Sequence, residues 1–406
     1  NTDNGGQYTI TNQNITGGTI VALYIAGSTH KAATVSLGSG TALNGANMTG
    51  MTLIKDNLII KYGSGFNVSS PVTHRVLNIA DNSGISDITT VFTATNTDFY
   101  FNKPLNVWSG SSLDLSSASY GQTNHIHNNG RIDLGTSNLL DINMSGNYTQ
   151  SGGWMNAGSS DFNPVDFVQS AGTFIASSQI MGVSGNFVRN GGTFSHNNGT
   201  LRLFPATNTN TTVKVGNATF YNLTLNHSST VSTTTTFTDN VTVQNDLSIP
   251  VLTATALRAW TASTPITITV NGNFSQTDPK SAFGANATLL MSGGNNQSLL
   301  PSNGVFSGSI LIYKNAGIVT AGTGLLLKGS TQDLIISGST LNLNGKKLVS
   351  GRNFIIGTGA TFRLNGDETI AVDGKRFSHR NSTRWYSKAG GTVTLANVPY
   401  QNLIIG

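Results

Sequence analysis

His125 and His127, in the run His125-Ile126-His127, place two imidazoles on one face of an extended strand, two residues apart. Such a pair supplies half of a metal site. The chain has no cysteine, and the nearest downstream carboxylate is Asp133. The same residues also read as a polar turn beside Asn128-Asn129-Gly130. With so few ligands in view the turn is the preferred reading, and neither a metal nor another cofactor is expected.

A second stretch, Lys375 to Lys388, has the most unusual local composition. Lys375, Arg376, Arg380, Arg384 and Lys388 interleave with Phe377, Trp385 and Tyr386, and His379 lies among them. Cations alternating with aromatic faces suit sugars, anionic glycans or single-stranded nucleic acid through stacking and charge-assisted bonds. The stretch sits between two repeat strands, as an inserted loop would. A solvated loop or a contact to another subunit is the preferred reading, because arginine and aromatic clusters commonly mark protein interfaces.

Acid chemistry finds less support. Polysaccharide cleavage needs convergent carboxylates, or an acid beside a base, in a groove. The aspartates here are scattered, and Asp367-Glu368 is the sole acidic pair, read as a hairpin tip after Asn365-Gly366. No catalytic residue is assigned and no enzyme activity is expected, although a coiled chain can align acids from successive turns. The nonapeptide signature of calcium rolls is absent. Sequons at Asn67, Asn147, Asn222, Asn240 and Asn286 are what chance gives in a chain this rich in Asn, Ser and Thr.

The elements that must carry these residues are short strands that recur. One block runs Gly185-Asn186-Phe187, Gly199-Thr200-Leu201-Arg202-Leu203, then Phe220-Tyr221-Asn222-Leu223-Thr224-Leu225. A second runs Gly272-Asn273-Phe274, Ala287-Thr288-Leu289-Leu290, then Val305-Phe306 into Ile310-Leu311-Ile312. A third runs Arg352-Asn353-Phe354, Gly391-Thr392-Val393-Thr394-Leu395, then Tyr400-Gln401-Asn402-Leu403-Ile404-Ile405. Asn-Gly steps such as Asn198-Gly199 and Asn344-Gly345 supply turns, because both residues tolerate positive φ. The best helix candidate, residues 251–262, is short and rich in threonine.

Repeated short strands without helices between them predict an all-β chain. The expected fold is a right-handed parallel β-helix (β-solenoid) with room for small lateral insertions. Each coil takes roughly 20–25 residues and stacks about 4.8 Å above the last. Asparagines at repeated corners are expected to hydrogen-bond along the stack. A string of β-sandwiches is the structural competitor, but it prefers cleaner alternation in hairpins. Residues 1–143 form a β-rich first part, early coils with an irregular 63–125 segment, and 144–406 form the repetitive solenoid.

The blocks GNFVRNGGTF, GTLRLF and FYNLTL resemble those of bacterial secreted parallel β-helix surface proteins. These are adhesin-like, broadly similar to autotransporter passengers and filamentous haemagglutinins. The resemblance is strongest over 144–406. It implies extracellular location and attachment or coat-building roles, and it carries over no catalytic residue.

Composition agrees with that direction. Of 406 residues, 10% are charged and 37% hydrophobic, too apolar for a chain that stays unfolded through charge. Glu368 is the only glutamate, so the Glu/Lys helical faces common in cytosolic enzymes are missing. The net charge of +5 divides into −2 over residues 1–150 and +7 over the rest. A basic half favours anionic partners, though a solubilising surface explains it as well. No apolar run reaches 18 residues, so no membrane insertion is expected. The chain opens at Asn1 and closes on Asn402-Leu403-Ile404-Ile405-Gly406, inside a repeat block. Leu403, Ile404 and Ile405 are therefore candidate assembly residues, docking on a copy of the chain or on the rest of a longer parent. The expected function is an extracellular structural or adhesive surface protein that self-assembles into a fibre, sheath or coat. The alternative is a secreted β-helix that binds or cleaves carbohydrate. Glycans are a candidate partner; nucleic acid is not.

Overall fold

The structure, a computed structural model, describes residues 147–372 apart from 160, 206–209, 227–232, 251–257 and 303–305. Outside that span it describes only isolated strands between 14 and 143 and after 375. Every regular element among the described residues is a strand, and nearly all pair in parallel, giving a β-solenoid. The chain divides into two compact units, 1–182 with 189–197, and 183–188 with 198–406.

In the first unit one ladder runs in parallel through Leu58–Ile60, Leu105–Val107, Arg131–Asp133, Trp154–Asn156, Thr173–Ile175 and Thr193–Ser195. A second runs through Asp98–Phe101, His125–Asn128, Tyr148–Gln150 and Phe167–Gln169. The amino-terminal part departs from pure coiling. Ile20–Tyr24 pairs antiparallel with Ala33–Leu37, Asn14–Ile15 with Leu43–Asn44, and Phe92–Ala94 with Asp98–Phe101.

In the second unit a long ladder passes from Thr200–Leu203 through Asn222–Leu225, Leu247–Ile249, Phe274–Gln276 and Gln297–Leu300. It continues through Ile318–Ala321, Thr340–Asn342 and Thr361–Leu364. A second face stacks Arg258–Val270, Ser281–Met291, Ser309–Tyr313, Leu334–Ser337 and Phe354–Ile356. A third stacks Leu325–Leu327, Leu348–Ser350 and Ile370–Val372. From Ile318 onward one turn of the chain visits each face once before returning one strand higher.

The strands form because alternate residues have an interior to fill. Phe187, Phe274 and Phe354, the aromatics that open the recurring blocks, are all buried, with Val188, Ser275 and Ile355 facing outward. In parallel stacking each inward residue meets its equivalent in the next coil. The core becomes columns such as Leu201, Leu223, Leu247, Phe274 and Leu299. Aromatic columns stack likewise, with Tyr148 over Phe167 at 5.6 Å and 12° between planes.

The helix candidate at 251–262 is a strand over its described part. Arg258–Val270 pairs with Thr233–Phe237 on one side and Ser281–Met291 on the other. Trp260 is buried while Ala259 and Thr261 are not, a period of two, so ladder pairing overrides the local alanine content. The hairpin expected at Asp367-Glu368 is also absent. The strands on either side, Thr361–Leu364 and Ile370–Val372, belong to different faces, so the turn is a corner of a coil.

Candidate functional site

Corner asparagines and aspartates act between coils. Asn147 accepts the backbone N–H of Asp166 at 3.0 Å, and Asn186 that of Thr212 at 2.9 Å. Asn222 accepts from Asp246, Asp246 from Asn273, and Asn273 from Ser298, a ladder running three coils upward. These corner bonds span 19 to 27 residues, about one coil each. Each satisfies a backbone donor that the strand ladder leaves open at the turn. Glu368 does similar work with both oxygens. Oε1 accepts from Asn365 at 2.7 Å and from Gly345, one coil earlier, at 2.9 Å, while Oε2 accepts from Gly366 at 2.8 Å.

Buried polar clusters interrupt the apolar columns, and two of them enclose a cation. In the first unit Gln150, Gln169 and Arg189 stand at equivalent strand positions and are almost wholly enclosed. Gln150 donates to the Thr173 carbonyl at 3.0 Å, and Gln169 to that of Thr193 at 3.0 Å. Arg189 donates from Nε to Gln169 and from Nη2 to the Gly192 carbonyl at 2.9 Å, with its guanidinium 5.3 Å over the Phe194 ring. In the second unit Lys314 donates its ammonium protons to Oε1 of Gln297 and to the carbonyls of Asn295, at 2.9 Å, and Ser292, at 3.4 Å. Its backbone N–H reaches Ser339 Oγ at 2.6 Å. Burial pushes the Lys314 pKa below the ordinary lysine value. Gln297 turns its own amide to the carbonyls of Val270 and Gly272. These groups are matched donor to acceptor, which suits them to holding turns against the coil interior.

The sequence reading did not single out either cluster. A signal was present for the first: Tyr148-Thr149-Gln150, Phe167-Val168-Gln169 and Phe187-Val188-Arg189 each set a long polar residue two places after a buried aromatic. Lys314 carried no such repeat.

His125 and His127 lie in one strand, where His125 is in register with Asp98 and His127 with Tyr100 and Thr149. Asp133, the carboxylate singled out downstream, belongs to the other ladder of that unit. Among the residues whose side chains are described, no group of three His, Asp or Glu could hold a metal.

The 375–388 stretch is only partly described. Arg376 and Phe377 lie in Arg376–Ser378, parallel to Phe354–Ile356. Arg384, Trp385 and Tyr386 lie in Thr383–Tyr386, parallel to Thr361–Leu364. Both described pieces are therefore ladder strands rather than parts of an inserted loop; Lys375, His379, Arg380 and Lys388 lie outside the described residues. Arg384 takes the register of buried Phe362, and Trp385 that of half-buried Arg363. Leu403, Ile404 and Ile405 lie in Asn402–Ile405, parallel to Thr383–Tyr386 in the same sheet.

No helix among the described residues is long and apolar enough to cross a membrane. Comparison with protein-family models, with curated proteins and with solved structures returns no match for this chain.

Proposed function

We propose that this chain is an extracellular structural or adhesive protein that self-assembles into a fibre, sheath or coat through the edges and ends of its coils. The observation that supports this reading is the corner ladder from Asn222 through Asp246 and Asn273 to Ser298. Polar side chains there are engaged with the neighbouring coil, which stiffens the stack in the direction in which it grows. The buried clusters around Gln169 and Lys314 follow the same rule, each tying a turn to the interior. A composition low in charge and rich in Ser, Thr and Asn suits a surface that meets water, glycan or copies of itself. The basic-aromatic residues of 375–388 and the strand Asn402–Ile405 are the candidate contacts for assembly.

Electron microscopy of the native material over a range of concentrations tests the reading. Regular fibres or sheets are expected. Isolated particles at every concentration would end it and bring forward the carbohydrate-binding or carbohydrate-cleaving alternative, to be screened against glycans.

A further inference from the structure

Strand exteriors of a solenoid are expected to be polar, and one column in the second unit breaks that rule for four consecutive coils. Leu290, Leu311, Ile335 and Ile355 occupy successive register positions on one face. All four are half-buried, while their strand neighbours Leu289, Ile310, Ile312, Leu334, Ile336, Phe354 and Ile356 fill the core. The column starts abruptly: the two positions before Leu290 are Thr242 and Thr269. Tyr313, two residues from Leu311 on the same face, is 54% exposed and is the one large hydrophobic exposed among the described residues. Threonine would serve β-propensity and solubility at every one of these sites, so the aliphatic row has no local reason.

We propose that this row is a contact face for a second copy of the chain, packed sheet to sheet. The row is a run of aliphatic side chains on a parallel sheet, unlike a pocket with convergent polar groups for a small ligand. A copy presents the same side chains at the same repeat of about 4.8 Å, so two rows interdigitate at the usual sheet separation of about 10 Å. The charges along one margin select the arrangement. Asp333 and Arg352 form an ion pair across neighbouring coils beside the row at 3.4 Å, with 51% of the Arg352 side chain and 18% of the Asp333 side chain left exposed to a copy. A twofold axis along the strand direction, between the coils of Ile335 and Ile355, sets each of these against the other in the copy, and sets the coil of Leu311 against that of Phe377, the next register position after Ile355. It also brings Asp333 level with Arg352 of the copy on both sides. Such an isologous contact closes on itself as a pair. It is lateral, so it adds to the end and edge contacts proposed above without depending on them.

Sedimentation velocity of the full chain over a concentration series tests this. The wild type is expected to show a reversible dimer. Leu311→Asp with Ile335→Lys should raise its Kd roughly thirtyfold or more, as loss of one hot-spot side chain does, with the thermal melt unchanged. Arg352→Asp should weaken the dimer, and adding Asp333→Arg should restore it, since the swap re-forms opposite charges within and between copies. A monomeric wild type, a dimer indifferent to the Leu311/Ile335 pair, or a charge swap without recovery would each overturn the proposal. A dimer lost in the Leu311/Ile335 variant while its fibres still form would support the lateral contact and leave end-to-end assembly standing.

Discussion

Arg189 donates from Nε to Oε1 of Gln169 at 2.7 Å, with both side chains buried inside the coil stack. The two come from successive turns of the chain, so the bond ties one coil to the next through the interior. Gln169 also faces Gln150 one coil earlier, at 3.4 Å. A polar column thus replaces an apolar one at this position, and its members depend on each other.

Gln169→Leu removes an acceptor from a buried guanidinium. It is expected to cost about 1.5–3 kcal/mol, the range for hydrogen bonds to charged groups. Adding Arg189→Met should cost less than the sum of the two single changes, because the charge that lost its partner is gone. Denaturant unfolding of the three variants measures this coupling, and strict additivity would show that the pair acts independently.

Glu368 is the sole glutamate, and it collects the N–H groups of Gly345, Asn365 and Gly366. Glu368→Ala leaves those donors without their charged acceptor at a half-buried corner. A loss of about 1.5–3 kcal/mol is expected. Hydrogen exchange should speed up at Gly345 and Gly366 while the strands of the other faces keep their protection.

Much of the fold was legible because parallel stacking repeats its own chemistry. Thr200-Leu201-Arg202-Leu203 and Asn222-Leu223-Thr224-Leu225 look alike in sequence because they are register partners, residue for residue. Phe187, Phe274 and Phe354 announced the interior in the same way. What stayed hidden breaks the repeat. Arg258–Val270 carries helix-compatible alanines whose fate is set by ladders on both sides. Arg376 to Tyr386 reads as a loop because cations stand where earlier coils carry apolar residues: Arg384 aligns with Phe362. Lys314 looks like a surface cation, since only the folded chain brings the Ser292 and Asn295 carbonyls to its ammonium.

Gly192 shows how tightly the turns stack. Its φ is +79°, and an added Cβ would lie 2.7 Å from the Gly172 carbonyl oxygen. Gly338, at φ +61°, has open space around the same position. Both alanine substitutions incur the left-handed cost of about 1–2 kcal/mol, and only Gly192→Ala adds a backbone collision. Thermal unfolding should therefore rank Gly192→Ala well below Gly338→Ala; equal melting temperatures would contradict this packing.

Lys314 predicts an alkaline signature. Its folded-state pKa is lowered by burial, so the unfolded chain binds more protons between that value and the ordinary 10.5. Stability from this group therefore rises as pH increases through that window, and the desolvation cost is fully present below it. Lys314→Met should abolish the rise. At neutral pH it should destabilise by about 1–3 kcal/mol, because the Gln297, Asn295 and Ser292 oxygens lose their donor. Unfolding free energies of both proteins from neutral to alkaline pH make the comparison.

The proposed function makes growth along the coil stack its central claim, and diffraction from aligned assembled material tests that claim most directly. Coils continuing end to end place a strong reflection at about 4.8 Å along the long axis of the assembly, with strands across it. Material that diffracts at that spacing only across its long axis, or a chain that forms no orientable assembly at any concentration, would contradict the account.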